Sequence, residues 1–539
     1  MLFADSSPQK ALGLLDFTVV GIYLATMFAM ALYFSKRQKS TEEFFLASRQ
    51  MPWFAVGLSI IATLLSTVTF LGSPGEMIKH GVGIFWGILA VPFCMVVVFF
   101  LWIPFFMRLR MTSVYEYLEL RFNYSARVVA AVLFILLRLG WMGVVVYTSS
   151  LALTTMTVES FAVDGIVSDT LRQNYMYGVI AVVGLFATVY TTVGGFRAVI
   201  WTDVIQFIVL FGGALLTLGY VMFSTGTGPI DWWTLAAEHR AQHTNPPVFS
   251  LDPTERVTIV TACIHVFVWT ICTHACDQVV LQRYFSTPSL KAAAKSYFVS
   301  AVAEVSVGML LGLCGLALLA FYLLQPDFLP AGLNPTSNET ADEVFPYFIA
   351  HQLPPGVGGL ILAALIAAAM SSIDSGANSV STVITTDFFE RLSPGGQQKL
   401  SSLALARILT LIIGTVATLL AYWVVLIGDR VNIVELSPKA FNIFLGPLAG
   451  LFFMGMFLPH CGSRSAILAA VLGFVCAFFW NYWGNLFPEA ERVPSFTLGT
   501  AVPLAITVMA GAIFGYLFKE PDGRQAGSEY SWLAVIRRK

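Results

Sequence analysis

Long apolar runs alternate along this chain with short segments that hold most of its Lys, Arg, Asp and Glu. A helix needs about 20 apolar residues to cross a hydrocarbon core, and on that criterion the pattern predicts an all-α protein with about thirteen transmembrane helices. They fall near 13–34, 52–73, 83–107, 127–157, 175–193, 198–222, 257–281, 297–325, 355–388, 403–427, 436–459, 465–485 and 499–518. Several exceed one crossing, as tilted or extended helices do. The first run has no basic segment ahead of it and is too long for a signal-peptide core, so it reads as a span. The segments 223–256 and 326–351 are the longest connections, polar and proline-bearing, and 519–539 reads as a charged, mobile tail.

Lys and Arg set the orientation. With the N-terminus outside, 21 of the 30 fall in inner segments, 8 in outer ones, and Arg138 is left inside a run. The expectation is a multi-pass protein of the plasma (inner) membrane with a cytoplasmic C-terminus. Composition agrees, because 57% of residues are hydrophobic and only 11% charged, against about 25% charged in soluble domains. A net charge of -1 with no basic stripe excludes nucleic acid as a partner. The seven cysteines lie mostly in apolar runs, where they act as small hydrophobes. No Walker loop, Rossmann fingerprint or G-x-S-x-G motif is present, which argues against an enzyme.

Irregular backbone within a membrane survives where protein or water satisfies it, and transporters bind their cargo at such breaks. Two runs look broken. The second carries Ser59, Thr63, Ser66, Thr67 and Thr69, with Gly72, Pro74 and Gly75 weakening its outer end; ordinary Ser/Thr helix packing is the competing reading. In the ninth, small residues from Ala363 to Met370 lead into Ser371-Ser372-Ile373-Asp374-Ser375. Ser371, Asp374 and Ser375 are spaced to share one helix face, and hydroxyl, carbonyl and carboxylate oxygens suit a hard cation such as sodium. A carboxylate at that depth is costly unless paired or coordinating.

Asp203 in the sixth run either pairs near the inner interface or joins an ion site. Arg138 lies about 11 residues into its run, roughly 16 Å at 1.5 Å per residue. It either pairs with Asp203 or Asp374, or receives an anionic group of a substrate, to which its planar fork is suited. The cluster Cys272-x-His274-x-Cys276-Asp277, with His265 nearby, resembles a metal site, but His274 falls on another helix face. It reads as packing, with sodium the only metal expected.

Several segments, in order, resemble the sodium/solute symporters, the family that includes the sodium–glucose cotransporters, and suggest a bacterial member. They are Thr41-Glu-Glu-Phe-Phe-Leu-Ala-Ser-Arg49, the stretch from Thr112 to Phe122, that from Thr192 to Gln206, Asp277-Gln-Val-Val-Leu-Gln-Arg-Tyr284, and the run from Met370 to Asp387. The resemblance covers about residues 41 to 460. It implies a LeuT-like core of two inverted five-helix repeats with broken first and sixth helices. These would divide the chain into an N-terminal helix and linker (1–50), a first repeat (51–222), an outer loop (223–256), a second repeat (257–459), and two extra helices with a tail (460–539).

By the same resemblance, sodium binds the carbonyls of Ala62, Leu65 and Ala368 and the hydroxyls of Ser371 and Ser372. A second ion site comprises Asp203, Asp374 and Ser375, with Asp374 standing where those members have a hydroxyl. Thr69 and Ile88 replace the polar groups of sugar carriers. The stretch from Ser66 to Glu76 looks more like the branch carrying monocarboxylates, vitamins and anions, and Arg138 resembles the carboxylate anchor of sialic-acid carriers. The implied function is sodium-coupled import of a small, carboxylate-bearing organic solute by alternating access, with Ser66, Thr69 and Arg138 at the substrate. Its rivals are a proton-coupled symporter using Asp203 and Asp374, and a sodium-coupled carrier of a neutral solute such as a sugar or polyol. Sodium is the coupling ion, no other cofactor is implied, and the protein is expected to act as a monomer in the lipid bilayer.

Overall fold

The computed structural model describes residues 12–36, 40–161, 168–241, 248–330, 333, 341–391, 402–427, 433–518 and 527–538. All regular structure among them is helical. The long elements are α1 (Leu14–Ser35), the pair α2 (Trp53–Leu64) and α3 (Thr67–His80), α4 (Gly83–Leu109), α5 (Tyr124–Thr157) and α6 (Asp169–Thr225). A second pair follows, α7 (Ile259–Cys276) and α8 (Gln278–Phe285), then α9 (Leu290–Leu324), α10 (Val357–Glu390), α11 (Ser402–Ile427), α12 (Ile433–Phe457), α13 (Ser463–Asn481) and α14 (Ala501–Leu517).

Eleven of the described helices are long and apolar enough to cross a membrane. One of them, the 57-residue α6, rises about 86 Å at 1.5 Å per residue, far beyond a core of ~30 Å. It is two crossings joined at Gly195, whose φ of 64° and ψ of -178° lie where glycine is at ease and other residues are not. The broken α2–α3 pair adds the remaining crossing to the predicted number.

The break in α2–α3 sits further inboard than the glycines and Pro74 suggest. Leu65 and Ser66 are extended (φ -82°, ψ 111° and φ -108°, ψ 175°), and α3 then continues through Pro74 to His80. The ninth run, read as broken, is continuous helix through Ser371–Ser379 and loosens only into a π-turn over Ile384–Glu390. A second break lies between α7 and α8, at Asp277. Each broken pair opens a group of five crossings: α2–α3, α4, α5 and the two of α6, then α7–α8, α9, α10, α11 and α12.

Helix α10 is the hub, packed against α6, α5, α1 and α11. Its small side chains permit this: a Cβ on Gly359 would stand 2.5 Å from the Asp16 backbone, so α1 lies directly on it. Asp16 is buried and caps α10, accepting from the backbone N–H of Gly356 and Gly359, both at 2.7 Å. Those groups have no partner within their own helix, and a carboxylate complements that end of the dipole.

The polar connections are more ordered than their composition suggests. The segment 223–256 holds a helix, Pro229–Ala241, and 326–351 holds another, Ala341–His351, whose Phe345 stacks on Phe70 of α3. Part of the tail read as mobile also folds back. Trp532 donates from Nε1 to the carbonyl of Leu101 at 2.9 Å, and Val535 is buried; residues 519–526 lie outside the described ones.

Removing the α1 cap tests this packing. Asp16→Ala should lower the thermal unfolding midpoint of the purified protein, reflecting a loss of about 1 kcal/mol or more. Gly21→Ala adds a methyl that meets nothing within 4 Å and, with the better helix propensity of alanine, should not lower the midpoint. Equal midpoints for Asp16→Ala and the parent would show that the cap does not hold α1.

Candidate functional site

The break at Leu65–Ser66 ends α2 in the middle of the bundle, and the last carbonyls of a helix have no partner within it. Serines of α10 meet two carbonyls of this stretch. Ser371 Oγ donates to Ala62 O at 2.6 Å and lies 3.5 Å from Ala368 O, while Ser372 Oγ donates to Thr63 O at 3.3 Å. Ala62, Leu65, Ala368, Ser371 and Ser372 are all buried. The structure therefore brings Ala62, Ala368, Ser371 and Ser372 together, with Leu65 at the extended break just after the end of α2. The set is oxygen-rich and uncharged, which suits a monovalent cation better than the carboxylate-rich cages of divalent ions.

Asp203 and Ser375 also meet, but around a guanidinium. Arg283, which falls between the predicted spans 257–281 and 297–325, is fully buried on α8. Its Nε donates to Ser59 Oγ at 2.8 Å, and its Nη2 contacts Asp203 Oδ2 at 2.9 Å and the hydroxyls of Thr63 and Ser375, both at 2.5 Å. Ser59 Oγ donates in turn to Asp203 Oδ2 at 2.5 Å. Asp374 turns away from this group, and its Oδ1 accepts from Thr191 of α6 at 2.7 Å. The expected common face of Ser371, Asp374 and Ser375 is thus split: the serines face α2 and the acid faces α6.

Arg138 pairs with neither Asp203 nor Asp374. Its Nη2 donates to Asp277 Oδ2, and both side chains are buried. Asp277 lies at the second break and also caps α8, its Oδ1 accepting from the Val279 N–H at 3.0 Å. An acid just ahead of a helix is an N-cap signal, and Asp277 carried it within the motif that resembled a metal site. That motif is packing: His274 Nδ1 bonds the Tyr284 hydroxyl at 2.7 Å. No group of three or more His, Cys, Asp and Glu among the described residues is placed to hold a metal.

Beside the first break lies a cavity of about 280 Å³, walled by Leu65, Thr69, Arg138, Trp141, Trp269 and Phe441, with Glu304 and His265 also on its lining. Arg138 stacks over Phe441 at 5.4 Å. Thr69 and Arg138 therefore stand where a solute would contact them. Ser66 does not line the cavity; it is fully buried, and its hydroxyl has no hydrogen-bond partner among the described residues. Glu304 escaped the sequence reading, although an acid within the run 297–325 was a visible signal.

Comparison with known proteins gives this geometry its context. The sodium:solute symporter family matches residues 44–473. A sodium/sialic acid symporter of Proteus mirabilis is 31% identical over 478 residues, 88% of this chain and 91% of its own. A sodium-dependent multivitamin transporter of Oryctolagus cuniculus is 31% identical over 507 residues, 91% of this chain and 75% of its own. The solved structure of a substrate-bound, outward-open Na+-coupled sialic acid symporter superposes with a TM-score of 0.77 at 29% identity, covering 94% of this chain and 98% of that one. The fold is the LeuT-like architecture, and the relatives are transporters rather than enzymes. With most of its length matched and both broken helices in place, this chain belongs to the sodium:solute symporter family.

Proposed function

We propose that this sodium-coupled symporter imports a small, carboxylate-bearing organic solute by alternating access, with sodium held by Ala62, Leu65, Ala368, Ser371 and Ser372. The observation that carries the reading is the meeting of the α10 serines with the carbonyls at the α2 break. Leu65 belongs to this oxygen set and also to the cavity wall. An ion that orders the Leu65 backbone therefore shapes the solute site, and a solute that does so favours the ion; coupling of this kind is reciprocal.

The cavity is at the small end of ligand sites, which run to ~300–1,000 Å³, so it suits a small solute. Arg138 supplies the anion contact. A guanidinium has five N–H donors, and the bond to Asp277 leaves others for a substrate carboxylate. Relatives named for sialic acid, itself a carboxylic acid, support that class. The Asp203–Arg283 ion pair argues against Asp203 as a freely exchanging proton carrier. The N-terminus is placed outside and the C-terminus in the cytoplasm, on the distribution of Lys and Arg.

Two measurements test this. Ser372→Ala should raise the sodium concentration that half-stabilises the purified protein by roughly tenfold, the effect of one lost oxygen contact to a charge. An unchanged sodium titration would reject the site. Arg138→Lys keeps the positive charge beside Asp277 but loses the fork; it should retain the sodium response and lose stabilisation by organic carboxylates. Carboxylate binding equal to that of the parent would reject the anchor.

A further inference from the structure

Glu304 lies near the middle of the 35-residue α9, inside the membrane. A carboxylate there is costly unless something matches it. Among the described residues it has neither a hydrogen-bond nor an ion-pair partner. Its surroundings differ on two sides. One is a groove of about 480 Å³ walled by side chains such as Ile84, Phe85, Leu89 and Met309, which offer a carboxylate nothing. The other is the cavity that holds Arg138.

Arg138 is neutralised by Asp277, so Glu304, when ionised, is the unmatched charge on the cavity lining. A solute bearing only a carboxylate would add a second negative charge beside it, in a region of low dielectric where such repulsion is strong. A solute that also carries a cationic group would remove the imbalance. Other groups on the lining favour a cation as well. His265 Nδ1 faces the carbonyl of Thr497 at 3.1 Å and so carries the proton, which leaves Nε2 as an acceptor. Trp141 and Trp269 add indole rings, whose faces attract ammonium groups.

We propose that Glu304 selects a cationic group on the solute, so that the transported molecule is a zwitterion, an amino or quaternary-ammonium carboxylate. The inference deepens the assignment of Arg138 to the carboxylate and rests on it. It makes Glu304 a specificity-determining residue that reads the end of the solute Arg138 does not.

The test uses purified full-length protein in sodium and three matched probe pairs: β-alanine and propionate, 4-aminobutyrate and butyrate, glycine betaine and 3,3-dimethylbutanoate. In each pair the second compound lacks only the positive charge or the amine that bears it. At least one zwitterion should stabilise the parent protein at concentrations about tenfold or more below its partner, the ratio of one charge-assisted contact. Glu304→Gln should abolish that ratio, and Glu304→Asp should preserve it, with the response to sodium alone unchanged in both as the sign that they fold. The proposal is overturned if no zwitterion binds the parent, if the partners bind equally well, or if Glu304→Gln keeps the preference. Arg138→Lys, titrated alongside, separates the two readings. Carboxylates that bind the parent but not Arg138→Lys uphold the anchor whatever Glu304 does; carboxylates that bind both reject the anchor, and the Glu304 variants still report on the amine alone.

Discussion

A membrane interior offers no water to a broken helix, so every backbone group that a break releases has to find its partner within the protein. Two breaks, at Leu65–Ser66 and at Asp277, impose that requirement here, and much of the polar interior follows from them. At the first, serines of α10 reach carbonyls of α2. At the second, Asp277 caps α8 and in doing so becomes a buried carboxylate that needs a cation. Arg138 supplies it, and is thereby held at the wall of the cavity. Arg283, one turn and a half further along α8, reaches back to Ser59 and Thr63 on α2. The two broken helices are therefore bonded to each other, with α6 and α10 joined at the same point through Asp203 and Ser375.

This arrangement also separates charged from uncharged oxygen. Asp203 is bonded to Arg283, and Asp374 faces α6, so the side chains that meet the carbonyls of Ala62 and Thr63 are the hydroxyls of Ser371 and Ser372. Ion pairs buried in this way are weak contributors to stability, because desolvation offsets much of their attraction. Their effect here is on position: they hold two half-helices in register while leaving the carbonyls of the break without a fixed charge of their own.

The crossings were legible in the sequence because apolarity is a property of each residue and accumulates along a run. The Ser371–Ser375 segment was legible for a similar reason, since polar residues are conspicuous among alanines. Partners were not. Arg138 and Asp277 are 139 residues apart and Arg283 and Asp203 are 80 apart, and a sequence displays charges without their pairing. Arg283 read as a loop residue because Gln278–Phe285 mixes polar and apolar positions like an interface, although every residue of that half-helix is buried. Helix-face spacing placed Asp374 with Ser371 and Ser375, but with a helix packed on each side, neighbouring positions of one broad face meet different partners. Glu304 was a single acid in a long apolar run, and its meaning depends on a cavity that only folding creates.

The cap that Asp16 places on α10 has a consequence for how the chain is made. Asp16 belongs to α1, and the N–H groups it serves come 340 and 343 residues later. Until α10 is inserted, Oδ1 of that acid lacks these partners, while Oδ2 accepts from the Gly13 N–H at the start of α1 itself at 3.0 Å. The final seat of α1 exists only once α10 has been threaded, so α1, made well before α10, must wait for it to reach its native place.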